Sequence, residues 1–307
     1  MKMKKINKRA IFFTLIAIVM LSLFLISSIF YSVVKSREAI NRRIETMNNF
    51  VFSVEQDLPR QLYIAGFRTV FLFEQKIVDT GNYITNLNAG FEEVFFNGTL
   101  NGDEQPIITG AKFSDIQNSL NEKAAKINAE AVLSEPSLSV NQVDPWNIRF
   151  ALTVKMLIKD KSNLVLWNRT SVFEAYIPIE NFEDPLYIIS TNGTVVNKIN
   201  KTIYQPFAQG TDVSNLTLHN ANSLYTSSSL APSFLGRLEG KLTANESGIE
   251  SLVNLNEFAA PKDKCVVDYI YFSDNNPTAY SIQGMPAWFK LDDEHLDVYG
   301  VRDLKIP

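Results

Sequence analysis

The chain has 307 residues, 46% of them hydrophobic and 20% charged, and a formal net charge of −4. Beyond the first nine residues, 24 basic residues stand against 33 acidic ones, a balance that repels phosphate backbones and argues against nucleic acid as a partner. A single cysteine, Cys265, excludes an internal disulfide.

Lys2, Lys4, Lys5, Lys8 and Arg9 make residues 1–9 a basic leader, and Ala10 to Val34 contain no charged residue. At about 1.5 Å of rise per residue this stretch crosses a hydrocarbon core of about 30 Å, so a transmembrane helix is predicted over 10–34. Cleaved signal peptides have shorter apolar cores, of roughly 7–15 residues, and Ser27 to Ser32 offers a poor cleavage site. An uncleaved or late-processed anchor is therefore favoured over signal-peptidase removal, with the lipid bilayer as first partner. Lys35, Arg37, Arg42 and Arg43 nearly balance the leader. Long C-terminal parts translocate largely regardless of such charges, so the N-terminus is placed in the cytoplasm and the C-terminal domain outside.

A helical stalk region follows over 35–132. Ile40, Ile44, Met47, Val51, Val54 and Leu58 recur at spacings of four and three, a narrow apolar seam on one helix face. The seam has two uses, packing on its own domain or self-association with like subunits. Pro59 is predicted to kink or restart the helix. Arg60 to Asp79 then resumes with Ile64, Phe67, Phe71 and Ile77 as the buried face, closed by Gly81. Ser114-Asp115-Ile116-Gln117 reads as a capping box opening a helix to about Glu130, stopped by Pro136.

Residues 133–307 are predicted to be β-rich. Ile148, Phe150, Leu152, Val154, Met156 and Ile158 alternate with polar residues, the clearest strand in the chain. A second run, Leu164 to Ile177, follows a short connection and pairs antiparallel. Asn181 to Ser229 reads as short strands and loops. A short helix near Pro232–Leu238, a strand from Cys265 to Phe272 and the apolar piece Ala287–Leu291 complete the chain. The fold class is α+β: a transmembrane helix extended by an amphipathic helix, then helices packed with an antiparallel β-sheet or β-sandwich.

Candidate chemistry is sparse. His219 reads as a structural or surface histidine. His295 lies among Asp292, Asp293 and Asp297, a set that could hold a divalent cation but lacks the calcium-loop pattern and reads first as a solvated acidic turn. Gly236 to Thr243 mimics a phosphate loop but is one residue short, with Leu242 where Ser or Thr is needed. Glu180, Glu183 and Asp184 could pair for glycoside cleavage, but the better reading is a turn before Pro185. No cofactor is predicted. Asn97, Asn168, Asn192, Asn200, Asn215 and Asn245 each begin a glycosylation triplet.

A charged leader, a long apolar helix running into an amphipathic one, and a β-rich domain resemble the archaeal type IV pilin-like proteins. Lys8-Arg9-Ala10-Ile11 resembles their prepilin-peptidase site, which implies cleavage between Ala10 and Ile11. Leu15 stands where many pilins carry Glu. The remainder resembles archaeal single-span surface proteins that lend no activity. The expected function is a non-catalytic membrane-anchored surface protein with a structural, adhesive or pilin-like role. The alternative is a membrane-tethered hydrolase or ligand- or metal-binding protein using Asp293 and His295.

Overall fold

The computed structural model describes residues 8–258 and 262–306. Most of the basic leader lies outside the described residues, as do the side chains of Ala10 and Ile11. One helix, α1 (Lys8–Thr80), spans 73 residues. From Phe12 to Thr46 its side chains are exposed, apart from half-buried Arg43. It is long and apolar enough near the N-terminus to cross a membrane. From Met47 onward the seam turns inward: Met47, Val51, Val54 and Leu58 are buried, and the row continues through Leu62, Ala65, Thr69, Phe73 and Ile77.

That continuation explains why Pro59 does not restart the helix. Proline removes one backbone donor, but Leu58 and Leu62 on either side are held in the core, and α1 runs through. The face predicted for the second segment is also corrected. Ile77 is buried, whereas Ile64, Phe67 and Phe71 are 42%, 40% and 43% exposed. Two apolar rows share this helix with the same period, and the inner one is the continuation of the seam. Gly81 closes α1 as predicted, in the left-handed region at φ 64°, its N–H donating to Ile77 O at 2.8 Å.

α2 (Leu87–Asn97) leads into a small hairpin, β1 (Thr99–Leu100) with β2 (Asp103–Glu104), and then α3 (Phe113–Lys126). The capping box does not form: Lys112 holds the N-cap position, Ser114 already lies inside the helix, and Gln117 bonds elsewhere. Asp115 accepts from the Gly110 N–H at 2.8 Å, and Gln117 grips the next strand, donating to Ala131 O at 2.9 Å and accepting from the Leu133 N–H at 2.7 Å. The helix expected to run to about Glu130 ends at Lys126, and Pro136, expected as its stop, lies inside that strand, β3 (Ala129–Asp144). The proline sits at an irregularity between Ser134 and Ser137 on an edge strand, where a missing donor is tolerated.

β3 pairs antiparallel with β4 (Asn147–Asp160), and β4 with β5 (Leu166–Pro178). All six alternating apolar residues of β4 are fully buried, as their period demands. α1 lies close against this sheet: a Cβ on Gly66 would stand 2.4 Å from Ile177 Cδ1.

The remaining elements are short: α4 (Pro185–Ser190), α5 (Ser214–Ala221), β6 (Tyr225–Ser227), α6 (Phe234–Leu238), β7 (Ile249–Ser251), α7 (Asp268–Tyr271), β8 (Ala279–Ile282), β9 (Lys290–Asp292), α8 (Asp293–Val298) and β10 (Lys305–Ile306). Asn181 to Ser229 thus carries two helices, because Pro185 at the helix start and the Asp184 cap favour helix over strand. The predicted Cys265 strand is reduced to a bridge between Leu252 and Val267, since the chain turns into α7 at Asp268. β6 pairs with β7, and β8 lies between β10 and β9. The architecture is α+β, with four small antiparallel sheets among the described residues. One apolar core joins α1, α2 and α3 to the β3–β5 sheet, and a second lies among the C-terminal elements.

Candidate functional site

The predicted cation set is divided by the helix it lies on. Asp292, the last residue of β9, and His295 of α8 face inward, while Asp293 and Asp297 of α8 face out. Asp292 caps the helix and holds His295, with Oδ2 at 2.7 Å from the ring Nδ1. The other ring nitrogen lies 3.3 Å from Glu250 Oε2 and 3.1 Å from the Tyr269 hydroxyl. The buried Cys265 thiol donates to Asp292 at 3.1 Å. Asp293 and Asp297 instead point to solvent and pair with Arg302 at 3.2 and 2.5 Å. No group of three or more metal-type side chains comes together among the described residues. The cation between these carboxylates is the imidazolium itself. Burial opposes its charge, but hydrogen bonds to Asp292 and Glu250 outweigh that and raise its pKa to about 10.

A second charged network is sealed beneath it. Arg237, at the end of α6, places Nη1 at 2.6 Å from Asp184 and 2.9 Å from Asp268, with all three side chains fully buried. Its Nη2 also donates to Ile249 O. Burial opposes the guanidinium charge, and the two carboxylates more than restore it. Tyr225 donates to Asp184 at 2.8 Å, and Ser251 Oγ to Asp268 at 2.9 Å. Strand β7 therefore touches both networks: Ile249 and Ser251 serve the arginine cluster, and Glu250 serves the histidine. The Gly236–Thr243 stretch thus supplies a core arginine rather than a phosphate cradle.

Of the two readings of His219, the buried one holds. Its ring packs 4.8 Å from Phe207 and 5.9 Å from Tyr299. Neither nitrogen has a hydrogen-bond partner among the described residues, and burial lowers its pKa to about 4. Cys265 is buried.

What faces solvent is a groove of about 620 Å³ beside the outer row of α1. Tyr63, Phe67, Phe71 and Val78 form one wall, between 40% and 51% exposed. Tyr63 stacks on Phe67 at 6.3 Å, and Phe67 meets Phe182 of the opposite wall at 5.3 Å. Glu74 lies at the floor, only 7% exposed, and accepts a hydrogen bond from the Glu183 N–H. Burial is the main cause that pushes its pKa up to about 7. The three candidate carboxylates separate here: Glu180 and Glu183 line the groove, while Asp184 belongs to the arginine network. Sequence reasoning missed Glu74 and Tyr63. The available signal was a second apolar row at positions 63, 67, 71 and 78, one step from the buried row.

Of the seam proposed for self-association, Met47, Val51, Val54 and Leu58 are spent on the chain's own core, and Ile40 and Ile44 remain 38% exposed. Asn97, Asn168, Asn192, Asn200 and Asn245 are exposed and Asn215 is half-buried, its amide donating to Pro206 O at 2.9 Å.

The chain matches no protein-family model, no curated protein and no solved structure.

Proposed function

We propose that the chain is a non-catalytic, single-span surface protein with its N-terminus in the cytoplasm and its folded head outside, acting in adhesion or pilin-like assembly. The observation that carries this reading is the division of α1. One uninterrupted helix supplies an apolar stretch exposed on all sides from Phe12 to Val34 and then the central helix of the head. Apolar area of that extent needs lipid or other apolar helices to cover it. Both buried charge networks then serve the fold, and the aromatic groove is the contact surface of the head. Assembly with like subunits would use Ile40 and Ile44, which stay exposed.

The test is the N-terminal residue and intact mass of the protein from its native membrane. A chain beginning at Ile11 would establish prepilin-type processing at Ala10–Ile11. One retaining Met1 or Lys2 would establish a plain anchor. Release into the soluble fraction by an alkaline carbonate wash would overturn membrane anchoring altogether. A second reading, ligand binding in the groove, is favoured by Glu74, which at neutral pH both donates and accepts.

A further inference from the structure

This inference rests on the reading of α1 as a membrane span. Three contacts fix how the head sits along that helix. Arg43 reaches Asp160 at the end of β4 with Nε at 2.7 Å, and its Nη1 and Nη2 donate to Ile127 O at 2.6 Å and Asn128 O at 2.9 Å. Farther along, Glu55 pairs with Arg169 of β5, and Gly66 meets Ile177 near the end of β5. Positions 43, 55 and 66 of α1 thus match 160, 169 and 177 of the hairpin. β5 runs in the same direction as α1, and the turn between β4 and β5 points back toward the span.

That turn has an unusual surface. Leu164 and Leu166 are 51% and 59% exposed, although nothing in a soluble turn requires leucine there. Lys159 and Lys161 beside them are exposed, as is Lys126 at the end of α3 next to the residues that Arg43 holds. The turn's one acid, Asp160, is buried against Arg43. Of the neighbouring acids, Glu38 pairs with Arg42, leaving Glu45 and Glu130. A basic, leucine-bearing tip stands out on a chain of net charge −4.

From Val34 to Arg43 the helix climbs about 13 Å. The headgroup layer takes up roughly 5–8 Å of that, and an ordinary helix tilt of about 20° brings one side of the head lower still. We infer that the β4–β5 turn is a foot on the bilayer from which α1 emerges, with Leu164 and Leu166 at the headgroup–acyl boundary and Lys159, Lys161 and Lys126 facing anionic headgroups. Apolar residues flanked by lysines suit this boundary, because the long side chains keep their charge in the headgroup layer.

The experiment uses the full chain reconstituted in vesicles of phosphatidylcholine and phosphatidylglycerol, with an environment-sensitive dye on one introduced cysteine. Cys265 is fully buried and out of the dye's reach. Three variants are compared: Leu21→Cys in the span, Leu164→Cys in the foot, and Ile203→Cys at a distal position that is 82% exposed. The readout is quenching by a spin label carried on the lipid acyl chain. Strong quenching at 21, several-fold more quenching at 164 than at 203, and loss of that excess in Lys159→Glu/Lys161→Glu are expected. Quenching at 21 with equal, low values at 164 and 203 would overturn the foot while leaving the span intact. No quenching at 21 would overturn the span itself, and the foot with it.

Discussion

Arg237 grips Asp268 with both terminal nitrogens, Nη1 at 2.9 Å and Nη2 at 3.2 Å, across 31 residues of sequence and with no access to water. The same Nη1 holds Asp184, so one guanidinium bridges two carboxylates from different segments. Removing one partner from such a cluster leaves uncompensated buried charge, at a cost of about 3–5 kcal/mol. Arg237→Met is therefore expected to lower the unfolding free energy by that amount in urea titrations. A loss below about 1 kcal/mol would mean that water reaches the cluster.

His295 makes stability depend on alkaline pH. Its pKa is raised from 6.5 to about 10 in the folded state, so its contribution is fully present below pH 6.5 and is lost as pH rises through about 10. The unfolding free energy should fall by several kcal/mol over that window. His295→Gln should be less stable at pH 7 and show a flatter profile up to pH 10. Chemical denaturation across that range distinguishes the two.

Glu74 acts at lower pH. Its pKa rises from 4.5 to about 7 on folding, so stability is lost as pH increases across that interval. The total is on the order of 3 kcal/mol. Glu74→Gln keeps an acceptor for the Glu183 N–H without the buried charge. Its melting temperature should exceed that of the parent at pH 8 and match it near pH 4.

His219 has the opposite sign. Its pKa falls from 6.5 to about 4, so its contribution is present above pH 6.5 and is lost as pH drops through about 4. With both nitrogens unsatisfied between two aromatic rings, His219→Phe removes a desolvation cost of about 1–3 kcal/mol. The variant should be more stable, with the gain largest at pH 4. Equal acid sensitivity in parent and variant would show that His219 is not the group responsible.

The sequence reading succeeded where one period met one environment. Ile148 to Ile158 alternate against a single buried face, and Met47 to Leu58 follow one buried row. It failed where a local signal met a tertiary partner. Pro59 implied a break that core packing on both sides overrides, and Pro136 implied a stop where an edge-strand irregularity accommodates it. Ser114 to Gln117 implied a cap, but Gln117 bonds the neighbouring strand. Two apolar rows of equal period leave the phase of Phe67 and Phe71 undetermined in the sequence. Asp184, Arg237 and Asp268 carry no pattern at all, and only the folded chain brings them together.

The passage of α1 from exposed apolar segment to core helix, without a joint, has a mechanical consequence. A load applied at the N-terminal end enters the head along a rigid rod whose far half is bolted to the β-sheet at Gly66 and closed into the core at Ile77. Among the described residues no flexible tether precedes the head. Tension on that end is therefore resisted by the cooperative fold of the whole head, and torque there turns the head with it.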